Sequence, residues 1–132
     1  MSEIVLSQEY ERRTYDPPMP VLDIGISRPG ASAPSATVEA EVDTGADGTL
    51  VPRDVLEQVG ATFVDRAYLR GITGQRQSVD LYLVTLHLGP LRIAGNHAVA
   101  LPAGEPAILG RDVLNQLDIA LIGTAGVTEV HR

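Results

Sequence analysis

The chain of 132 residues has no cysteine. That excludes a disulfide framework, a thiolate zinc site and a cysteine nucleophile, and it leaves the redox compartment open. Aromatic residues are only 4% of the total, so the core is aliphatic and interrupted by glycine, a composition that favours short strands and tight turns. Positive charge is scarce: 10 basic residues stand against 17 acidic ones, for a net charge of −7. The arginines are scattered and form no basic run, which argues against nucleic acid as a partner. No apolar run approaches the ~20 residues that span a bilayer. The N-terminal "MSEIVLSQEYERRTYDPP" sets acids beside arginines and lacks the apolar stretch of a signal peptide. The expectation is a soluble, cytoplasmic protein without membrane association, of a length that suits one domain with a core of its own.

What is present is mostly β pattern. Residues 1–19 read as an extended N-terminal arm ending in the proline-rich "DPPMP". The folded domain is expected over residues 20–132. Segments 20–28 and 37–43 alternate as strands, and Pro29-Gly30 turns the loop between them. "PRDVLEQVG" predicts a short helix with Pro52 in its first turn and Gly60 as its stop. Residues 61–69 and "SVDLYLVTLHLG" are strand-like, Gly89-Pro90 turns the chain, and "LRIAGNHAVAL" returns. A second short helix is expected over "RDVLNQLD", then the strands "IALI" and "VTEV" around the turn "GTAG".

The two helical windows echo each other. "RDVLEQVG" begins at residue 53 and "RDVLNQLD" at residue 111, and five of their eight positions are identical. Each follows a small apolar strand and a glycine-containing bend. An offset of 58 residues between 53 and 111 points to two similar halves, since a solenoid needs at least three units.

The stretch "VEAEVDTGADGTLVP", residues 38–52, runs an alternating strand into two acids among small residues. A surface turn accounts for Asp, Thr and Gly in such a place. A calcium loop is a rival, because Asp43, Asp47, Gly48 and Asp54 occupy positions 1, 5, 6 and 12 of an EF-hand loop. Against it, Gly45 stands at position 3, Pro52 interrupts the loop, and the upstream segment alternates as a strand where an EF-hand requires a helix. His87, His97 and His131 show no metal-ligand spacing, so no metal site is expected.

A third reading comes from Asp43-Thr44-Gly45-Ala46, followed by Asp47, taken with Ile108-Leu109-Gly110-Arg111-Asp112 at 65 positions beyond Asp43. With the preceding strand and the glycine-rich hairpin between the two motifs, this pattern resembles the retropepsin-like aspartic proteases over roughly residues 20–122. The resemblance implies a mostly β, single-domain closed barrel of the acid-protease fold with two short helices and a flap hairpin. It also implies an aspartic endopeptidase that needs no cofactor.

Peptide hydrolysis by aspartates needs one carboxyl group to activate water and a second to protonate the substrate, and two carboxyl groups held close share one proton. The chain offers a single Asp-Thr-Gly, so the pair is expected across a two-fold homodimer. By similarity, Asp43, Thr44 and Gly45 form the catalytic loop, with Thr44 bonding across the dimer. Ala46 and Asp47 meet the substrate main chain, and Leu50, Ile72 and Ile108 line apolar pockets. Gly71, Ile72, Thr73 and Gly74 form the flap over a peptide or protein substrate. A partly buried ion pair between Asp47 and Arg111 is expected within each subunit, and "VTEVH" is the candidate interface strand. The alternative is a catalytically silent module that keeps this fold for dimerisation or peptide binding.

Overall fold

The structure is a computed structural model that describes residues 2–132. Its strands are β1 (Ile4–Glu9), β2 (Val21–Ser27), β3 (Ala36–Val42), β4 (Thr49–Pro52), β5 (Thr62–Arg70), β6 (Arg76–Leu88), β7 (Leu91–Leu101), β8 (Ala107–Leu109), β9 (Asp118–Ile122) and β10 (Val127–His131). Helix α1 (Arg53–Val59) follows β4, and α2 (Arg111–Leu114) follows β8.

Six strands close a barrel in the order β2-β3-β8-β4-β7-β6, with β6 pairing back onto β2 and β5 attached outside β6. Two of these pairings are parallel, β3 with β8 and β4 with β7. Each joins one half of the internal echo to the other, so the repeat in sequence becomes a repeat in space. Alternation explains which residues face inward: in β3, Ala40 and Val42 are buried while Glu39 is exposed. Strand β2 departs from alternation because Val21, Leu22, Ile24 and Ile26 are all buried. Leu22, Ile24 and Ile26 join Leu56, Val84, Leu86, Leu88 and Leu109 in the aliphatic core, each such side chain contributing about 1.5–3 kcal/mol on burial.

Pro52 precedes α1 with extended ψ and serves as its N-cap, so the helix starts at Arg53, one residue later than the sequence suggests. Gly60 ends it at φ +76°, a left-handed conformation that glycine adopts freely. The second helix is a single turn and does not extend to residue 118. Its successors Gln116 and Leu117 continue in tight i→i+3 turns, and Asp118 is already paired with His131 in the next strand.

The N-terminal segment is a strand for part of its length. Its β1 pairs with β10, and β10 pairs with β9, giving a separate three-stranded sheet. Strand β10, "VTEVH", is therefore hydrogen-bonded along both edges within its own chain. As folded, it has no free edge to offer a second subunit, which corrects the expectation that it is an interface strand.

Candidate active site

The loop carrying Asp43 is bonded to the second half of the barrel. Strand β3 ends when the Val42 N–H donates to the Pro20 carbonyl at 2.9 Å and the Asp43 N–H to the Leu109 carbonyl at 3.1 Å. Asp43 Oδ1 then accepts the Gly45 N–H at 2.9 Å, and its carbonyl accepts the Ala46 N–H at 3.2 Å. This is an Asx-type turn that the carboxylate itself organises. Asp43 is only partly exposed, whereas Thr44 and Gly45 stand clear at the apex.

From the opposite side, α2 and the bend before it hold the loop. The Arg111 N–H donates to the Ala46 carbonyl at 2.9 Å and the Asp112 N–H to the Asp47 carbonyl at 3.2 Å. The Arg111 guanidinium spans the loop, giving Nη1 to the Thr44 carbonyl at 2.7 Å and Nη2 to Asp47 Oδ1 at 2.8 Å. The planar fork of arginine suits two such acceptors at once. The Asp47–Arg111 pair lies at the surface, with the Asp47 side chain 95% exposed. The partly buried pair expected from sequence therefore differs from what is found, because in the single chain nothing packs over the carboxylate.

Sequence reasoning missed the residues beneath. Thr49 is fully buried; its hydroxyl donates to Asp112 Oδ1 at 2.8 Å and accepts the Gly110 N–H at 3.1 Å. Asp112 Oδ2 also accepts from Asn96 Nδ2 at 3.2 Å. Gly110 packs so tightly on Gly48 that a Cβ there would lie 2.3 Å from the Gly48 carbonyl oxygen. The signal available was the repeated "RD" pair, whose second copy supplies both Arg111 and Asp112.

Beside the loop lies a groove of about 400 Å³, lined by Gly45, Ala46, Asp47, Gly48, Leu50, Ile108 and, from β5, Tyr68, Leu69 and Arg70. Leu50 and Ile108 are paired neighbours in the sheet and form its apolar wall. Tyr68, Leu69 and Arg70 were not anticipated, because an exposed edge ribbon gives no local hint of what it leans over. The tip Gly71-Ile72-Thr73-Gly74 joins β5 to β6, closed by the Gly71 N–H to Gln75 carbonyl bond at 2.9 Å. It does not line the groove, and Ile72 is wholly exposed. His87 is buried elsewhere, with Nε2 2.9 Å from Ser27 Oγ. Among the described residues, no group of three or more His, Asp or Glu side chains is placed to hold a metal ion, and no helix is long and apolar enough to cross a membrane.

A closed six-strand barrel with an Asp-Thr-Gly loop braced by a Gly-Arg segment from its second half defines the retropepsin-like acid-protease fold. The family described as "gag-polyprotein putative aspartyl protease" matches residues 33–116, and the chain belongs to that family. Among solved structures, a retropepsin-like aspartic protease from Rickettsia conorii is similar at 10% identity and a TM-score of 0.63. That match covers 99% of this chain and 94% of the other, and so extends to the N-terminal strand. No curated protein matches the sequence.

Proposed function

We propose that the protein is an aspartic endopeptidase whose catalytic pair consists of Asp43 from each of two protomers. The observation that carries this reading is the placement of Asp43. Its N–H donates to the Leu109 carbonyl and its carboxylate accepts the Gly45 N–H, which fixes it two residues before Gly45, the first loop residue to line a groove large enough for several side chains. One barrel supplies a single such aspartate: at the 58-residue offset of the internal repeat Asp43 falls on Leu101, and the second half has no Asp-Thr-Gly. A two-fold axis beside Thr44 brings the second carboxyl group to the first.

In that dimer the two carboxyl groups share one proton. The ionised one takes a proton from water as the water oxygen attacks the scissile carbonyl carbon, and the protonated one donates to the carbonyl oxygen. Collapse of the tetrahedral intermediate breaks the C–N bond as a proton passes to the amine. Gly45 leaves room for the substrate main chain, Asp47 offers a carboxylate to its N–H groups, and Leu50 and Ile108 receive an apolar side chain. The β5–β6 hairpin closes over the bound peptide, an element suited to excluding water.

The test is digestion of a mixed peptide library by wild type and Asp43→Asn. Cleavage by wild type that falls about 100- to 10,000-fold in the variant, and that a statine-type inhibitor blocks, supports the reading. A folded, dimeric wild type that cleaves nothing makes the protein a silent peptide-binding module.

A further inference from the structure

The distribution of cations around the groove carries information about the substrate. All ten basic residues of the chain are arginines. Four have a carboxylate partner: Arg53 and Arg66 with Asp80, Arg111 with Asp47, and Arg132 with Glu3. Two that have none among the described residues, Arg70 and Arg76, face each other across the β5–β6 ribbon as register partners. Between them the tip "RGITGQR" contains no acid. The ribbon's other acid–base contacts lie at its base, where Asp80 is already shared by two arginines. Like charges directly opposite in a strand pair destabilise it, and here the pair occurs in a chain of net charge −7.

The location of this pair supplies its use. Arg70 lines the groove beside Leu50, Leu69 and Ile108. Arg76 stacks on Tyr68, its guanidinium 4.4 Å from the ring centroid, and Tyr68 lines the same groove. The carboxylate nearest in the groove, Asp47, is engaged by Arg111. The groove thus presents an apolar wall on one side and an uncompensated cation on the other.

We infer that Arg70, supported by Arg76, selects peptides that carry an aspartate or glutamate within one or two residues of an aliphatic side chain seated on Leu50 and Ile108. This rests on the proteolytic reading above. A polyanion such as nucleic acid fits less well, because the surrounding net negative charge repels it while a single carboxylate on an apolar segment meets little opposition. The same surface exposure keeps the contact screened by salt.

The experiment measures kcat/KM for matched peptides that differ only in carrying glutamate, glutamine or lysine beside the aliphatic residue, using wild type, Arg70→Gln and Arg70→Glu. The expected result is a preference of about fivefold for the acidic peptide in wild type. It should fall toward one in Arg70→Gln, invert toward a lysine-bearing peptide in Arg70→Glu, and shrink in high salt. In parallel, fluorescence anisotropy with Asp43→Asn reads binding of the same peptides without cleavage. Tighter binding of the acidic peptide that is lost on adding Arg70→Gln supports the inference even if wild type cleaves nothing, in which case only the proteolytic reading fails. Cleavage or binding indifferent to the acid overturns the inference and leaves proteolysis standing. A single-stranded oligonucleotide that competes as well as the acidic peptide also overturns it.

Discussion

Thr49 links two halves of the chain through one hydroxyl, which donates to Asp112 and accepts from the Gly110 N–H. Thr49→Val keeps the shape and removes both bonds, leaving a buried N–H and one carboxylate oxygen short of a partner. The expected cost is about 2–3 kcal/mol, since one of the lost bonds is to a charged group. A lowered urea midpoint with an unchanged slope checks it, and a midpoint equal to wild type removes Thr49 from this role. His87 governs a different property. Burial, and secondarily the charge of Arg92, lower its pKa below the ordinary 6.5. As pH falls through that value the unfolded chain takes up a proton that the folded chain resists, so stability is full above about 6.5 and declines below it. Urea midpoints between about pH 5 and 8 should slope upward with pH in wild type and flatten in His87→Gln. An equal slope in both proteins would assign the effect to other groups.

At the scale of elements, the β5–β6 hairpin is anchored at its base and uncovered at its tip. Arg53, at the start of α1, donates to Asp80 at 3.0 Å and to the Tyr82 hydroxyl at 3.1 Å, while Ile72 touches nothing. Arg53→Met should free the base of the ribbon. Hydrogen exchange over residues 65–80 is expected to speed up, with global stability reduced by less than about 1 kcal/mol because the pair is half exposed. If the hairpin is the flap of a peptidase, KM rises more than kcat falls. Exchange as slow as in wild type would show that strand pairing alone holds the ribbon.

The same element shows what the sequence could disclose. Alternation in β3, the stop at Gly60, and Asp43-Thr44-Gly45-Ala46 joined to Ile108–Asp112 were legible because each is a local pattern, whereas β6 is buried on both faces from Val84 to Leu88. Alternation assigns a face but not a partner. Hence neither the pairing of β1 with β10, whose partners run from Ile4↔His131 to Glu9↔Val127 at opposite ends of the chain, nor the lean of Tyr68, Leu69 and Arg70 over the groove could be read. The Thr49–Asp112–Asn96 cluster was hidden for the same reason: its members come from β4, α2 and β7, and only the fold brings them together. The exposure of Asp47 depends on what packs above the loop, which no local pattern encodes.

For the whole molecule, the question is how a barrel with one Asp-Thr-Gly completes its site. The strands β3 with β8 and β4 with β7 relate the two halves, but only the first half carries the acid, so the internal repeat cannot supply the second one. Strand β10 is enclosed by β1 and β9, the edge strands of that sheet; in the dimer proposed above, the meeting point is the exposed apex of the Asp43 loop. There Thr44 lends its carbonyl to Arg111, and in the proposed dimer its hydroxyl meets the second copy. Thr44→Ala removes that hydroxyl from both protomers, and the dimer dissociation constant measured by analytical ultracentrifugation should rise about tenfold or more. An unchanged constant would place the contact elsewhere. Subunit mixing then separates a shared pair from two independent sites. After equal amounts of wild type and Asp43→Asn exchange freely, about one dimer in four retains both aspartates. Cleavage should therefore drop to about half of what the same wild-type protein gives unmixed. Activity that merely matches the wild-type content would mean that each barrel acts alone, and the aspartate pair would have to be abandoned.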